Sequence, residues 1–220
     1  MKVILFGASG MVGQGVLREC LLDPAVERVL VVGRTTTGRQ DAKLREILRP
    51  DVADLAGVED QLRGFDACFF CLGVSSAGMT EADYRRLTYD LTLAVAQTLV
   101  KLSPAMTFIY VSGTGTDSTG QGRVMWARVK GDTENALLRL PFKAAYMFRP
   151  GIIEPLHGVV SKTKSYRILY GLMRPLMPVL KLLLPANLLT DTEQVGRAMI
   201  RVAQHGAPKT ILESRDINAL

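Results

Sequence analysis

This sequence is poor in the residues that most often announce chemistry. It holds three cysteines, two histidines and one tryptophan in 220 residues. Three cysteines are too few for a disulfide framework. Cys68 and Cys71 form a Cys-x-x-Cys, but they lie in the apolar run Ala67-Cys68-Phe69-Phe70-Cys71-Leu72. On a strand, positions three apart point to opposite faces, so small core residues are expected there and a metal or redox pair is not. No metal site is expected elsewhere, and reduced thiols fit a cytoplasmic setting. Runs of Lys or Arg are lacking, and so is aromatic interleaving. The net charge of +6, from 27 basic and 21 acidic residues, therefore suits an anionic small ligand and not nucleic acid. The first apolar run is too short for a signal peptide and enters a glycine turn directly. No low-complexity tract or internal repeat stands out. With 48% hydrophobic and 22% charged residues the composition is that of an ordinary globular chain. A single domain over residues 1–220 is expected, with about 152–220 as its substrate-side helical part.

What is present is concentrated in the first fifteen residues, MKVILFGASGMVGQG. A short strand, Lys2–Phe6, leads into Gly7, Gly10 and Gly13 at three-residue spacing, and then into a helix over Met11–Leu22. Such a turn lets backbone and phosphate approach closely, and the free N–H groups of the helix start favour an anion. Further strands are expected at Val29–Val32, Leu44–Leu48, Ala67–Leu72, Thr107–Val111 and Ala144–Phe148, with a last edge strand at Thr210–Leu212. Helices are expected over Thr80–Leu102, within Gly122–Leu140 and over Thr190–His205. In the first of these, Leu87, Leu91, Ala94, Val95 and Leu99 form the apolar face. The alternation predicts an α/β, Rossmann-like doubly wound parallel sheet with a small C-terminal helical part. Ligands of such sheets sit beyond the C-terminal strand ends. Gly7, Gly33-Arg34, Gly73, Ser112-Gly113 and Pro150-Gly151 all fall there.

The end of the second strand distinguishes the two nicotinamide cofactors. An NAD site typically carries an acid at this point to accept the ribose 2′-hydroxyl. This chain has Gly33-Arg34-Thr35-Thr36-Thr37. A guanidinium meets a 2′-phosphate in a fork geometry, and threonine hydroxyls can add hydrogen bonds. NADP(H) is therefore favoured over NAD(H).

These residues resemble the short-chain dehydrogenase/reductase superfamily in its extended or atypical branch. That branch includes NAD-dependent epimerase/dehydratase, NmrA-like and Tat-interacting-protein-like members. The resemblance covers about residues 1–205. Gly7-Ala8-Ser9-Gly10-Met11-Val12-Gly13 matches the family's G-x-x-G-x-x-G. The resemblance implies cofactor contacts at Gly7, Ser9, Gly10, Met11, Val12 and Gly13. It implies others at Arg34 and Thr35, at Asp54 and Leu55 beside the adenine, and at Cys71, Leu72 and Gly73 beside its ribose. Val111, Lys130 and the turn Pro150-Gly151-Ile152-Ile153 would lie near the nicotinamide.

The family's catalytic Tyr-x-x-x-Lys is altered. Here it reads Trp126-Ala127-Arg128-Val129-Lys130. An indole N–H is only a donor and is not an acid or base near neutral pH, so the usual proton relay cannot run through position 126. Lys130 can still bind ribose. The resemblance places Ser112 and Thr114 where the family keeps a substrate-polarising hydroxyl, with Thr116 in the same loop. It places Asp90, preceded by Tyr84 and Tyr89, near a structural Asn. His157 follows the substrate-side turn and is a candidate substrate contact. The apolar stretch Ser165–Leu189 reads as a cap over the substrate site or as a packing or dimer surface. A membrane-surface helix is a less favoured reading. A cap of this kind suggests a weakly polar substrate. Two functions follow. One is an NADP(H)-dependent oxidoreductase or epimerase/dehydratase-like enzyme acting on a carbonyl or hydroxyl compound. The other is a non-catalytic NADP(H)-binding redox sensor or scaffold. A homo-oligomer is compatible with either.

Overall fold

A computed structural model describes residues 1–159 and 188–220. Its frame is a seven-stranded sheet, and every neighbouring pair in it is parallel. In chain order the strands are β1 (Lys2–Phe6), β2 (Arg28–Gly33), β3 (Leu44–Leu48), β4 (Ala67–Phe70), β5 (Thr107–Val111) and β6 (Ala144–Arg149). Two short strands, β7 (Ile152–Glu154) and β8 (Leu189–Asp191), pair with each other outside this sheet. The last strand, β9 (Ile211–Glu213), closes the large sheet against β6. Across the sheet the order is β3-β2-β1-β4-β5-β6-β9. The direction of winding reverses between β1 and β4, which puts a crevice at the C-terminal end of β1.

Alternation along the strands builds a core on each face. Val3 and Leu5 of β1 turn towards helices α1 (Met11–Leu22) and α5 (Thr192–His205). Ile4 and Phe6 turn the other way, into a cluster with Val95, Leu99 and Leu137. Phe6, Phe70 and Phe108 run across three strands on that second face at ring separations of 5.4 and 5.9 Å. The same alternation separates the Cys-x-x-Cys. Cys68 lies in the second core and Cys71 packs against the first, as strand geometry requires.

The long helix expected over Thr80–Leu102 is interrupted. Helix α2 (Glu81–Arg85), capped by the Thr80 hydroxyl, passes through a wide turn at Arg86–Asp90 into α3 (Leu91–Leu102). The Leu91 N–H reaches back five residues to the Arg86 carbonyl, which marks a π-type turn. The extra residue rotates the preceding face. Leu87, expected inward, is 36% exposed, and Thr88 is buried in its stead. Among the described residues the remaining α-helices are α4 (Met125–Leu138) and α6 (Ser214–Asn218), with a short 3-10 turn at Glu59–Leu62. In α5 the expected inward residues Val195, Ala198, Met199 and Val202 are all buried. Of the apolar stretch 165–189, residues 165–187 lie outside the described residues, so the cap, dimer and membrane-surface readings fall outside them too. Among the described residues, no helix is long and apolar enough to cross a membrane.

Candidate functional site

The β1–α1 turn takes its shape from two glycines. Gly7 has φ +82°, and a Cβ there would lie 2.6 Å from the Cys71 carbonyl carbon and 2.7 Å from the Leu72 amide nitrogen. A Cβ on Gly13 would lie 2.1 Å from the Gly7 carbonyl oxygen. The turn is therefore backbone against backbone, with no space for side chains. Gly10 stands at the N-cap of α1, no side chain caps that end, and its first turn holds no acid. An uncapped helix start in a side-chain-free cradle suits the diphosphate of a dinucleotide. Cys71 is locked beside it by an N–H bond to the Phe6 carbonyl of 3.0 Å. Burial pushes the Cys71 thiol far above its ordinary range, which disfavours the thiolate.

Around this cradle the other expected cofactor residues fall at the same edge of the sheet or beside it. Arg34 and Thr35 follow β2 directly, both are exposed, and Arg34 makes no ion pair or hydrogen bond with a described residue. The next two threonines are engaged elsewhere. Thr36 Oγ1 donates to Glu46 over 2.5 Å, and Thr37 donates through its amide and hydroxyl over 2.7 and 2.6 Å. Burial pushes the Glu46 carboxyl up, but these bonds outweigh it and hold the group below its ordinary range. Of the threonine hydroxyls, only Thr35 remains available beside Arg34. Asp54 is exposed and its carbonyl accepts from Arg49 Nε at 2.9 Å, whereas Leu55 is buried in the second core. Leu72 is half-buried, Gly73 is exposed, and Val111 ends β5 in the core.

The loop after β5 lies along α4. The Asp117 amide donates to the Ala127 carbonyl over 3.0 Å, and Asn135 Nδ2 donates to the Ser118 carbonyl over 2.9 Å. Only a glycine at 131 permits this, since a Cβ there would sit 1.8 Å from the Asp117 carbonyl oxygen. Trp126, Lys130 and Glu134 follow at i, i+4 and i+8 along the helix, so they share one face. The half-buried Trp126 ring lies beside Gly115. Lys130 Nζ donates to the Ser112 carbonyl oxygen, which fixes the ammonium at the end of β5. Burial pushes its pKa down to about 8, against the opposing charge of Glu134.

Ser112 does not present its hydroxyl to solvent. It is buried and donates to Glu134 Oε1 over 2.5 Å and to the Phe148 carbonyl over 3.2 Å. Glu134 has no solvent exposure and also accepts from Arg149, whose Nε lies 3.0 and 3.2 Å from its two oxygens. Arg149 Nη1 in turn lies 3.5 Å from Glu213 Oε1. The bond to Glu134 holds the Arg149 guanidinium above its ordinary range. Of the two expected hydroxyls, only Thr114 faces outward. Its amide donates to the Pro150 carbonyl over 3.0 Å, and its Oγ1 reaches the Arg149 carbonyl at 3.0 Å and Glu213 Oε2 at 3.4 Å. Gly151 is held by Ser214 Oγ at 2.7 Å, and Ile152 and Ile153 continue into β7.

Two expected residues stand apart. Asp90 is exposed on the wide turn between α2 and α3, where its charge bears on Arg85. His157, at φ +54°, has its Nε2 2.5 Å from Glu193 Oε2, in a cluster with Arg197. That contact engages one of the two ring nitrogens with the protein itself.

Glu134 and Glu46 had no place among the expected functional residues. Glu134 could have been found from its helical spacing, one turn beyond Lys130. Nothing local marks Glu46, which meets threonines nine and ten residues earlier, in the loop that leads into β3.

No family model matches the chain. It is 29% identical over 159 residues to Protein fmp52, mitochondrial, of Emericella nidulans, a match covering 69% of this chain and 66% of that protein. It is 26% identical over 155 residues to Protein HTATIP2 of Rattus norvegicus, covering 69% of this chain and 62% of that protein. The match thus spans slightly less than two thirds of these relatives. Among solved structures, it superposes on a UDP-N-acetylglucosamine 4-epimerase from Methanobrevibacter ruminantium M1 with a TM-score of 0.69 at 13% identity, over 96% of this chain and 74% of that one. The enzyme WbmF of Bordetella bronchiseptica, solved with NAD+, gives 0.67 at 16% identity, over 99% and 76%. A short chain dehydrogenase family protein from Francisella tularensis gives 0.67 at 15% identity, over 93% and 91%. The fold is the Rossmann-like α/β fold of these structures, as the sequence predicts, and the resemblance read from the sequence agrees with them. The cytoplasmic setting expected from the reduced thiols is corrected by the fungal relatives, which are named as mitochondrial proteins.

Proposed function

With the short-chain dehydrogenase/reductase fold as the premise, we propose that this chain binds NADP(H) and is an oxidoreductase or epimerase/dehydratase-like enzyme acting on a carbonyl or hydroxyl compound. The bound cofactor would supply hydride transfer to or from a substrate carbon. Gly7–Gly13 would hold its diphosphate and the uncommitted Arg34 its 2′-phosphate. The observation that carries the reading is Lys130, whose ammonium is pinned to the Ser112 carbonyl at the end of β5. That places a cation at the same sheet edge as the glycine cradle. Burial brings its pKa to about 8, so Nζ holds a proton that it can release near neutral pH. The exposed hydroxyl of Thr114, on turning from the Arg149 carbonyl to which it donates, would polarise the substrate oxygen. Ser112 and Glu134 would act behind Lys130 by fixing the end of β5.

Trp126 favours a second reading, a non-catalytic NADP(H)-binding sensor or scaffold, because the indole cannot replace the family's tyrosine as an acid. One titration and one assay separate the two. NADPH should quench the fluorescence of Trp126, the only tryptophan, more strongly than NADH does; no change at saturation would sink the placement of the cofactor. NADPH oxidation is then followed over a carbonyl panel. Turnover by the wild-type chain, lost in Thr114→Val, supports the enzyme. Turnover confined to Trp126→Tyr supports the sensor.

A further inference from the structure

Thr114 opens onto a cavity of about 510 Å³. This is the size of a small-molecule site, commonly ~300–1,000 Å³. Its walls come from three parts of the chain: Thr114 after β5, Leu188 before β8, and Lys209, Glu213, Arg215 and Asp216 around the β9–α6 corner.

The charges of this lining can be paired off. Glu213 lies 3.5 Å from Arg149. The carboxylate of Asp216 accepts the Glu213 amide over 2.9 Å and meets Lys209 Nζ at 2.8 Å. Glu213 and Asp216 also satisfy each other's backbone in a capping box at the start of α6. Both acids therefore have cationic and backbone partners. Arg215 is different: it is exposed and has no hydrogen bond or ion pair with a described residue. Its charge bears on Asp216, but its fork of donors is not hydrogen-bonded to any described residue, and it lines the same cavity as the exposed Thr114 of the candidate site.

We infer that this cavity receives a small molecule bearing a carboxylate, gripped by Arg215, with its carbonyl or hydroxyl group at Thr114. A planar guanidinium binds a carboxylate through two parallel hydrogen bonds and rejects the uncharged ester of the same shape. The inference rests on the proposed function and narrows its substrate to oxo- or hydroxy-carboxylates. It replaces the weakly polar substrate suggested by residues 165–189, which lie largely outside the described residues.

The test measures binding apart from turnover. Levulinate and longer oxo-carboxylates, each beside its methyl ester, are titrated into the full chain with NADPH present and absent, and followed by ligand-observed NMR. At least one acid should bind about tenfold more tightly than its ester. Arg215→Gln should bring that acid level with its ester and leave the ester unchanged. Arg215 is a surface residue, so the variant should keep the wild-type circular dichroism and melting point. The inference fails if no acid outbinds its ester, if the preference survives Arg215→Gln, or if no probe binds. NADPH oxidation in the same samples judges the enzyme reading separately. An Arg215-dependent preference without turnover upholds the carboxylate site and removes only the catalysis. Turnover of acid and ester alike upholds the catalysis and removes the carboxylate site.

Discussion

Ser112 Oγ donates to Glu134 Oε1 over 2.5 Å, on a carboxylate with no solvent exposure. The bond ties the end of β5 to α4 directly behind Lys130. The same carboxylate holds Arg149 at the end of β6, so one buried acid fixes two strand ends. Breaking a buried pair by neutralising one partner leaves the other charge uncompensated, at a cost of ~3–5 kcal/mol. Glu134→Gln should therefore lower stability by about that amount, measured as a shift in the urea midpoint with unchanged m. Ser112→Ala removes one hydrogen bond to a charged group and should cost ~1.5–3 kcal/mol. Additive losses in the double variant would show that the two residues do not act together.

Arg34→Glu should weaken NADPH binding by tenfold or more, ~1.5–3 kcal/mol for a lost charge-assisted bond. NADH, which has no 2′-phosphate, should change much less. Equal loss of both nucleotides in a fluorescence titration would remove Arg34 from the 2′-phosphate role. Thr36→Val is the useful companion. Its hydroxyl is bound to Glu46, so it should leave the NADPH to NADH ratio unaltered.

Lys130 gives a prediction in pH. Its folded-state pKa is pushed down to about 8 by burial, below the ordinary lysine range. Between about pH 8 and that range the unfolded chain binds more protons than the folded one, so the lysine's contribution to stability rises as pH rises. The penalty is fully present below pH 8. Lys130→Met should remove this dependence, and the difference in melting temperature between variant and wild type should shrink from pH 7 to pH 10. Reductive ¹³C-methylation should show one dimethyl-lysine resonance titrating near pH 8, absent in Lys130→Met. If every lysine resonance titrates above pH 10, the buried placement of Lys130 is wrong.

What the sequence made legible was local. Gly7, Gly10 and Gly13 act within one turn, and the apolar strands carry their own alternation, so the doubly wound sheet and its phosphate edge could be read directly. Trp126 and Lys130 were legible because a helix repeats every turn. The links that complete the site are not local. Ser112 and Glu134 are 22 residues apart, Glu134 and Arg149 are 15 apart, and Arg149 and Glu213 are 64 apart. No propensity or spacing rule couples such positions. By its resemblance Ser112 reads as a substrate-polarising hydroxyl, whereas in the fold it is a buried tie. The π-type turn was equally hidden, because Arg86–Asp90 contains no proline or glycine to mark it. His157 read as a candidate substrate contact because its partner Glu193 lies 36 residues away and no local spacing marks it.

The sheet ends on β9, and this has a consequence for how the chain folds. Strands β1 to β6 come from the first 149 residues, yet β6 finds its outer neighbour only at residues 211–213. On a ribosome that strand would emerge after the other six, and its docking joins residues as far apart in sequence as those that pair β1 with β4. Non-local closure of this kind is slow. Glu213 and Ser214, which brace Arg149, Thr114 and Gly151, arrive with it. A chain with β9 still undocked could already present the glycine turn to a nucleotide, but the cavity at Thr114 would lack one wall. Cofactor affinity and completion of that wall should therefore appear as two separate events in refolding, in that order.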